Sequence, residues 1–269
     1  MNLGLREKVI IVTGGAKGIG QGISESLALE SAMVAIVGRN EEDNQRCIEK
    51  IQATGGQAFS FVADLSNPSE CHQVVDKVAT MFGKIDGLVN NAGLNDGVGL
   101  ESGNYEKFIQ SINANLTHYY LMAQACLPYL LKAENPQVLT LSPPLNVEAR
   151  WFENHVAYSI AKFGMSLCTL GMAAEFKGKV AFNSLWPKTI IATAAIEFAV
   201  GNASMMQLGR KASIMADAAA AILQKDAKTV SGNFYIDEEV LRAEGVTDFA
   251  EYRVNPNTPE NQLLPDFFI

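Results

Sequence analysis

Seven short runs of β-branched and aromatic residues punctuate the chain: KVIIVT (8–13), MVAIVG (33–38), AFSFVA (58–63), DGLVNN (86–91), QVLTLS (137–142), VAFNSLW (180–186) and GNFYI (232–236). Most are apolar without alternation, as expected of strands covered on both faces. Segments such as 41–54, 69–82, 105–132 and 154–177 read as helices between them. This βαβα rhythm predicts a parallel sheet with helices on both sides, because each parallel crossover needs a covering helix. No internal repeat, low-complexity tract or linker interrupts it, so residues 1–269 read as one domain. The tail VNPNTPENQLLPDFFI (254–269) has three prolines and little periodicity. It is expected to be an extended arm on the body, with its apolar DFFI docked on this subunit or a neighbouring one.

Composition narrows the class. At 48% hydrophobic and 19% charged residues the chain has the balance of a soluble globular protein. A net charge of -8 argues against nucleic acid, whose phosphates call for clustered Lys and Arg. The longest apolar candidate, LTHYYLMAQACLPYLL, is broken by His118, Gln124 and Pro128, so it reads as a buried helix and no membrane partner is expected. The first residues show no secretory leader, and Cys47, Cys71, Cys126 and Cys168 lack C-x-x-C spacing. Reduced thiols in a cytoplasmic protein are the expectation. His118 and His155 have no metal-ligand company, so no metal is expected.

The first strand runs into TGGAKGIG, where Gly14, Gly18 and Gly20 precede a helix. Such a loop allows a tight turn, backbone approach to a pyrophosphate and close helix packing, with free N–H groups at the helix start. A dinucleotide site follows. An acidic residue at the end of the second strand would hydrogen-bond a ribose 2′-hydroxyl. Here that strand ends VAIVGRN, with Arg39 and no acid, and Lys17 is a second cation in reach. Both favour a 2′-phosphate, hence NADP(H) over NAD(H).

TGGAKGIG, then NNAG (90–93), then Tyr158 and Lys162 in Y-x-x-x-K spacing together resemble the short-chain dehydrogenase/reductase superfamily. The resemblance implies a Rossmann-type, doubly wound α/β domain with a seven-stranded, mostly parallel sheet. It implies that Gly14, Lys17, Gly18, Ile19, Gly20, Arg39, Asp64, Leu65, Asn90, Lys162 and Ile190 bind the cofactor. Asp64 would meet the adenine and Asn90 the adenine ribose. Tyr158 would be the acid/base, Lys162 its partner, and Asn115 the holder of a relay water. A lysine at i+4 shares the tyrosine's helix face, so its charge is expected to lower the phenol's pKa.

Two positions depart from the family. Its second catalytic serine is replaced by Pro143, which has neither hydroxyl nor N–H to polarise a carbonyl. Ser142 is kept as the catalytic serine if the loop swings it into place, with Asn146 as a substitute donor. Lys188 stands where the family has a glycine after strand six, which is tolerable if its φ is negative. Within the superfamily, residues from about 128 onward resemble hydroxysteroid-dehydrogenase-like proteins. LVNNAGLNDGVGLE and NLTHYYLMAQ resemble bacterial L-fucose-type sugar dehydrogenases, so a natural or constructed recombinant with a junction near 125–137 is one explanation and two independently solved cofactor-proximal loops another.

Segment 190–212 falls where the family carries a substrate lid. Ile196, Phe198, Val200, Met205, Met206 and Leu208 make it apolar, with Gly201 as a hinge, and Trp151 and Phe152 could wall the same pocket. An apolar carbonyl/alcohol pair is the expected small-molecule substrate, interconverted by hydride transfer. A sugar or polyol dehydrogenase and a catalytically weak NADP(H)-binding sensor or scaffold stay open. The apolar excess of 105–132 and 154–177 points to a homodimer or homotetramer.

Overall fold

The computed structural model describes residues 4–94, 99–101, 103–193 and 205–269. Its strands are β1 (Val9–Thr13), β2 (Met33–Gly38), β3 (Gln57–Val62), β4 (Gly87–Asn90), β5 (Gln137–Thr140), β6 (Ala181–Trp186) and β7 (Phe234–Ile236). They form one parallel sheet in the order β3-β2-β1-β4-β5-β6-β7. Each expected strand is present, shifted by at most two residues at its ends. The order reverses between β1 and β4, and in open α/β sheets ligands bind outside the carboxyl ends of strands at such a switch.

One face is covered by α1 (Gly18–Leu29), α2 (Glu41–Ala53) and α7 (Ser213–Leu223). Ile23, Leu27, Ile48, Ile51, Ile214 and Met215 meet the sheet residues Ile10, Val12, Val34 and Ile36 there. The other face carries α3 (Pro68–Phe82), α4 (Tyr105–Ile112), α5 (His118–Leu130) and α6 (Val156–Glu175). Val74, Val78, Met122, Cys126 and Met165 close on Val9, Ile11, Leu88 and Val138. The local starts and stops are chemical: Asn40 and Asn67 cap α2 and α3 with side-chain oxygens, Pro68 sits in the first turn, and Gly83 ends α3 at φ 72°. A short helix α8 (Asp237–Ala243) follows β7.

One expected element is divided. The single helix expected over 105–132 is α4, a π-helical turn at Asn113–Thr117, then α5. The cause is Asn115. Its Nδ2 donates to the carbonyls of Leu94 (2.8 Å) and Ser111 (2.9 Å), and its Oδ1 accepts the Leu94 N–H (3.1 Å). Holding the loop after β4 from inside the helix requires the extra residue that a π-bulge supplies, and such bulges occur often at functional sites. Helix α6 is long and apolar enough to cross a membrane by composition, but its Ala161, Met165 and Ala173 are buried in the body.

Candidate functional site

The carboxyl ends of β1, β4, β5 and β6 frame a cleft that begins at the glycine loop. Gly14 and Gly18 adopt φ of 62° and 55°, a region costly for any residue with a Cβ. A Cβ on Gly20 would stand 2.2 Å from the Gly14 carbonyl oxygen, so Gly20 serves helix packing against the loop. Helix α1 has no side-chain N-cap and no acidic residue in its first turn, which leaves its first N–H groups open to an anion. The loop is tied to β4: the Asn91 and Ala92 N–H groups donate to Thr13 Oγ1, and Asn91 Nδ2 donates to the Thr13 and Gly14 carbonyls. Asn91 borders the cleft. Asn90 does not line it: its side chain is buried, and neither of its polar atoms has a partner among the described residues.

On one side of the glycine loop lies a cavity of about 370 Å³, lined by Gly14, Lys17, Arg39, Asp43, Asp64 and Leu65 among others. Asp64 Oδ1 accepts the Ser66 N–H (3.0 Å) and hydroxyl (2.7 Å). The Ser66 hydroxyl bond holds its carboxyl below the ordinary carboxylate value, with Arg39 adding in the same direction. No acid ends β2, as expected, but Asp43 in the first turn of α2 borders the same cavity. Its carboxylate is shared by Lys17, 2.5 Å away, and Arg46. Arg39 therefore remains the cation of this cavity without an ion pair among the described residues.

On the other side is a cavity of about 450 Å³ lined by Gly18, Ile19, Gly93, Tyr158, Lys162, Trp186, Ile191, Asp266 and Phe267 among others. The two cavities share Gly14, Lys17, Ala92, Gly93 and Leu94, so they form one groove. Ile190 is buried behind it, its N–H given to the Leu264 carbonyl, and Ile191 faces the groove instead. Tyr158 and Lys162 lie one turn apart on α6. The Lys162 ammonium donates to the Leu141 carbonyl at 2.9 Å and lies 5.9 Å from the Tyr158 ring centre. A Cβ on Gly93 would stand 2.8 Å from Asn115 Oδ1 and 3.5 Å from Lys162 Nζ, so both side chains converge on that glycine.

The electrostatics correct one expectation. Burial pushes the Tyr158 phenol above its ordinary value, and the nearby Asp266 carboxylate adds to the rise. Lys162 does not lower it in the protein alone, because burial acts on the ammonium too and brings it down to about 8 against the pull of Asp266.

Ser142 is not brought to Tyr158. It is fully buried, its Oγ 2.6 Å from Ser184 Oγ, and it does not line the groove. Asn146 donates to Glu148 in an exposed loop, and Glu148 also pairs with Arg150. Lys188 has no left-handed φ. Its N–H donates to Asp237 and its ammonium pairs with Glu238 at 2.8 Å, so the substitution for glycine is accommodated. Within 190–212, residues 194–204 lie outside the described residues, including Ile196, Phe198, Val200 and Gly201. Met205–Leu208 form one 3-10 turn, half-exposed at Met205, Met206 and Leu208.

Sequence reasoning did not place Asp266 and Phe267 in the site. The arm docks on its own subunit: Thr189 pairs antiparallel with Pro265, the Asp266 N–H donates to the Lys188 carbonyl at 3.1 Å, and the Trp186 indole donates to the Phe267 carbonyl at 2.7 Å. Phe268 is 1% exposed among Trp151, Tyr158, Phe163 and Trp186. The buried Arg210 clamps the arm's Glu260 to Glu238 of α8. The run of apolar residues at the terminus was the available signal, but it did not say where the arm lands.

The residues suit a dinucleotide: a glycine cradle under an uncapped helix, a cation at one end, and a tyrosine–lysine pair at the other. Known proteins agree. Hydroxysteroid dehydrogenase-like protein 2 of Danio rerio is 41% identical over 267 residues, covering 97% of this chain and 63% of that protein. The human protein of that name is 39% identical with the same coverage. The chain thus spans less than two thirds of the length of these curated relatives. A short chain dehydrogenase of Mycobacterium thermoresistibile superposes with a TM-score of 0.90 at 34% identity, covering 98% of this chain and 96% of that one. A metagenomic short-chain oxidoreductase in complex with NADP shares the fold at a TM-score of 0.73 and 23% identity, over 86% of this chain and 98% of that one. Residues 8–202 match the short chain dehydrogenase family, and with the groove, its glycine loop and the Tyr158–Lys162 pair in place, the chain belongs to that family of oxidoreductases.

Proposed function

We propose that the protein is an NADP(H)-dependent oxidoreductase that interconverts an apolar carbonyl and its alcohol, with Tyr158 as the acid/base. The observation that carries this reading is the continuous groove from Arg39 past the glycine loop to Tyr158. The dinucleotide, when bound, supplies or accepts the hydride. Gly14, Gly18 and the first turn of α1 would hold its diphosphate, Arg39 and Lys17 a 2′-phosphate, Asp64 and Leu65 the adenine side, and Lys162 the nicotinamide ribose. Tyr158 gives its hydroxyl proton to the carbonyl oxygen in reduction and takes it back in oxidation. Burial lowers the cost of losing the Lys162 proton, so Lys162 can pass a proton toward Tyr158 from the side of Asn115.

Trp186, Pro187, Ile191 and Phe267 make the substrate end apolar, which supports a carbonyl with hydrocarbon substituents over a sugar. The test is absorbance loss of NADPH, with NADH in parallel, against a panel from short sugars to long-chain aldehydes and ketosteroids. Turnover of sugars with NADH would reverse both the cofactor and the substrate reading, and NADPH binding without turnover would favour a sensor. On α6, Ile160, Leu167 and Leu170 are 43%, 58% and 44% exposed and share one face. That face supports a homodimer or homotetramer. Cys47 and Cys71, held up at about 11 by burial, are free thiols and support a reducing, cytoplasmic setting.

A further inference from the structure

Reduction of a carbonyl places negative charge on its oxygen, and a hydrogen-bond donor preorganised at that point lowers the barrier. Most polar side chains at the Tyr158 end of the groove are already committed. Lys162 donates to the Leu141 carbonyl, the Trp186 indole to the Phe267 carbonyl, and Asn91 to the glycine loop. Ser142 is turned to Ser184, outside the groove. Asp266 lines the same cavity as Tyr158, beside Phe267, whose ring centre lies 6.4 Å from that of Tyr158. Its carboxyl accepts from the Phe267 N–H and the Trp186 indole and acts electrostatically on Tyr158 and Lys162. Its backbone is held on both sides, by the Lys188 carbonyl before it and by Trp186 on Phe267 after it.

We propose that Asp266 is a catalytic residue contributed by the C-terminal arm, its carboxyl hydrogen-bonding the reacting oxygen beside Tyr158. This rests on the oxidoreductase reading above. A carboxylate could only repel a developing oxyanion, whereas a carboxylic acid donates to it. The site favours the acid: burial and then the nearby Asp237 carboxyl raise Asp266 to about 8, against the Phe267 N–H, the Trp186 indole and Lys162. The charged and titratable groups acting on it are therefore Tyr158 and Lys162 from α6 and Asp237 from α8. The Lys188 ammonium is occupied by Glu238.

The balance is simple. Hydride from the reduced nicotinamide dinucleotide forms the new C–H bond, and the C=O π pair moves to oxygen. The Tyr158 O–H bond breaks as the substrate O–H forms, leaving a tyrosinate and the oxidised dinucleotide. The tyrosinate is the strongest base in the site and takes a proton from Lys162, itself held at about 8, which solvent then reprotonates, so Asp266 is protonated before and after the step.

Two measurements test the proposal. The first is the infrared carboxylic-acid C=O band of the protein alone, as the difference between wild type and Asp266→Asn. The band is expected below about pH 8 and lost above it. An ionised Asp266 at neutral pH overturns the proposal. The second is steady-state reduction of the carbonyl panel with NADPH binding measured alongside. Asp266→Ala is expected to lose about 100-fold in kcat with NADPH affinity unchanged. Asp266→Asn, which keeps a donor of the same shape, should stay within about threefold of wild type. Asparagine restores packing as well as the donor, so Asp266→Leu, which keeps bulk and has no donor, separates the two. It should lose as much turnover as alanine, and wild-type turnover by Asp266→Leu overturns the proposal. Undiminished turnover by Asp266→Ala overturns this proposal and leaves the oxidoreductase reading standing. No turnover by wild type on any carbonyl overturns that reading and this one with it. Should the alanine variant fail to fold, the infrared band decides.

Discussion

The ring of Phe268 stacks over the ring of Tyr158, with centres 6.1 Å apart and planes 20° from parallel. The last residues of the chain thus form a wall of the groove at the tyrosine that would move the proton. Phe268 is 1% exposed, so Phe268→Ala removes a packed ring. It should cost roughly 3–5 kcal/mol in stability, read as a lower midpoint in urea. The same variant should lower kcat on any carbonyl that the wild type reduces, because Tyr158 loses one of its supports.

Tyr158→Phe keeps the ring in the stack and removes the transferable proton. Turnover should fall at least about 100-fold, while NADPH binding, read by quenching of Trp151 and Trp186 fluorescence, stays within a factor of two or so of wild type. Retained turnover would remove Tyr158 from the mechanism.

The cofactor choice should depend on Arg39. Lys17 is engaged by Asp43, whose carboxyl it pulls down. Arg39→Ala should weaken NADPH binding about tenfold and leave NADH nearly unchanged, the effect expected for loss of one charge-assisted bond. Asp43→Asn should act in the opposite sense by removing a carboxylate beside the 2′-phosphate. Equal losses for both dinucleotides would place Arg39 on the shared part of the cofactor.

The clamp on the arm should be acid-sensitive. Burial alone would raise Glu238, but Lys188, Arg210 and Arg242 together bring it down to about 2 from an ordinary 4.5. A carboxylate depressed in the folded state contributes stability that is full above the unfolded value and is lost as pH falls through the folded one. The loss is therefore expected between about 4.5 and about 2, partly offset by Asp237, which burial raises to about 6. Arg210→Met should cost roughly 1–3 kcal/mol, because the Arg210 bonds to Glu238 and Glu260 are lost while Glu238 keeps Lys188 and Arg242. Chemical denaturation at a series of pH values measures both effects, and a midpoint flat through this window would show that the clamp does not contribute.

Assembly is checked by light scattering on the eluting protein. The chain should run as a dimer or tetramer, and Leu167→Glu, at a half-exposed position on α6, should shift it toward monomer by placing a charge in an apolar contact. A wild-type monomer would assign this face another role.

The strands, the glycine loop and the Tyr158–Lys162 pair were legible because each is specified by residues close along the chain. Continuous apolar runs mark doubly covered strands, glycine spacing sets a turn, and an i, i+4 pair shares a helix face. Asn115 was legible as a residue but not as the origin of the π turn, because its partner Leu94 lies in a loop 21 residues away. Asn90 and Asn91 are adjacent and alike in type. Only the pleat, which sends neighbouring side chains to opposite faces, decides that Asn91 meets the groove.

The sequence by itself determined the sheet, the nucleotide loop and the tyrosine–lysine pair. Tertiary structure alone decided that Ser142 turns to Ser184, that burial outweighs Lys162 at Tyr158, and that Asp266 enters the groove. The first group depends on local periodicity and backbone sterics, which act over a few residues. The second depends on which groups are excluded from water together, and residues 158 and 266 share a cavity because the arm packs beside the end of β6.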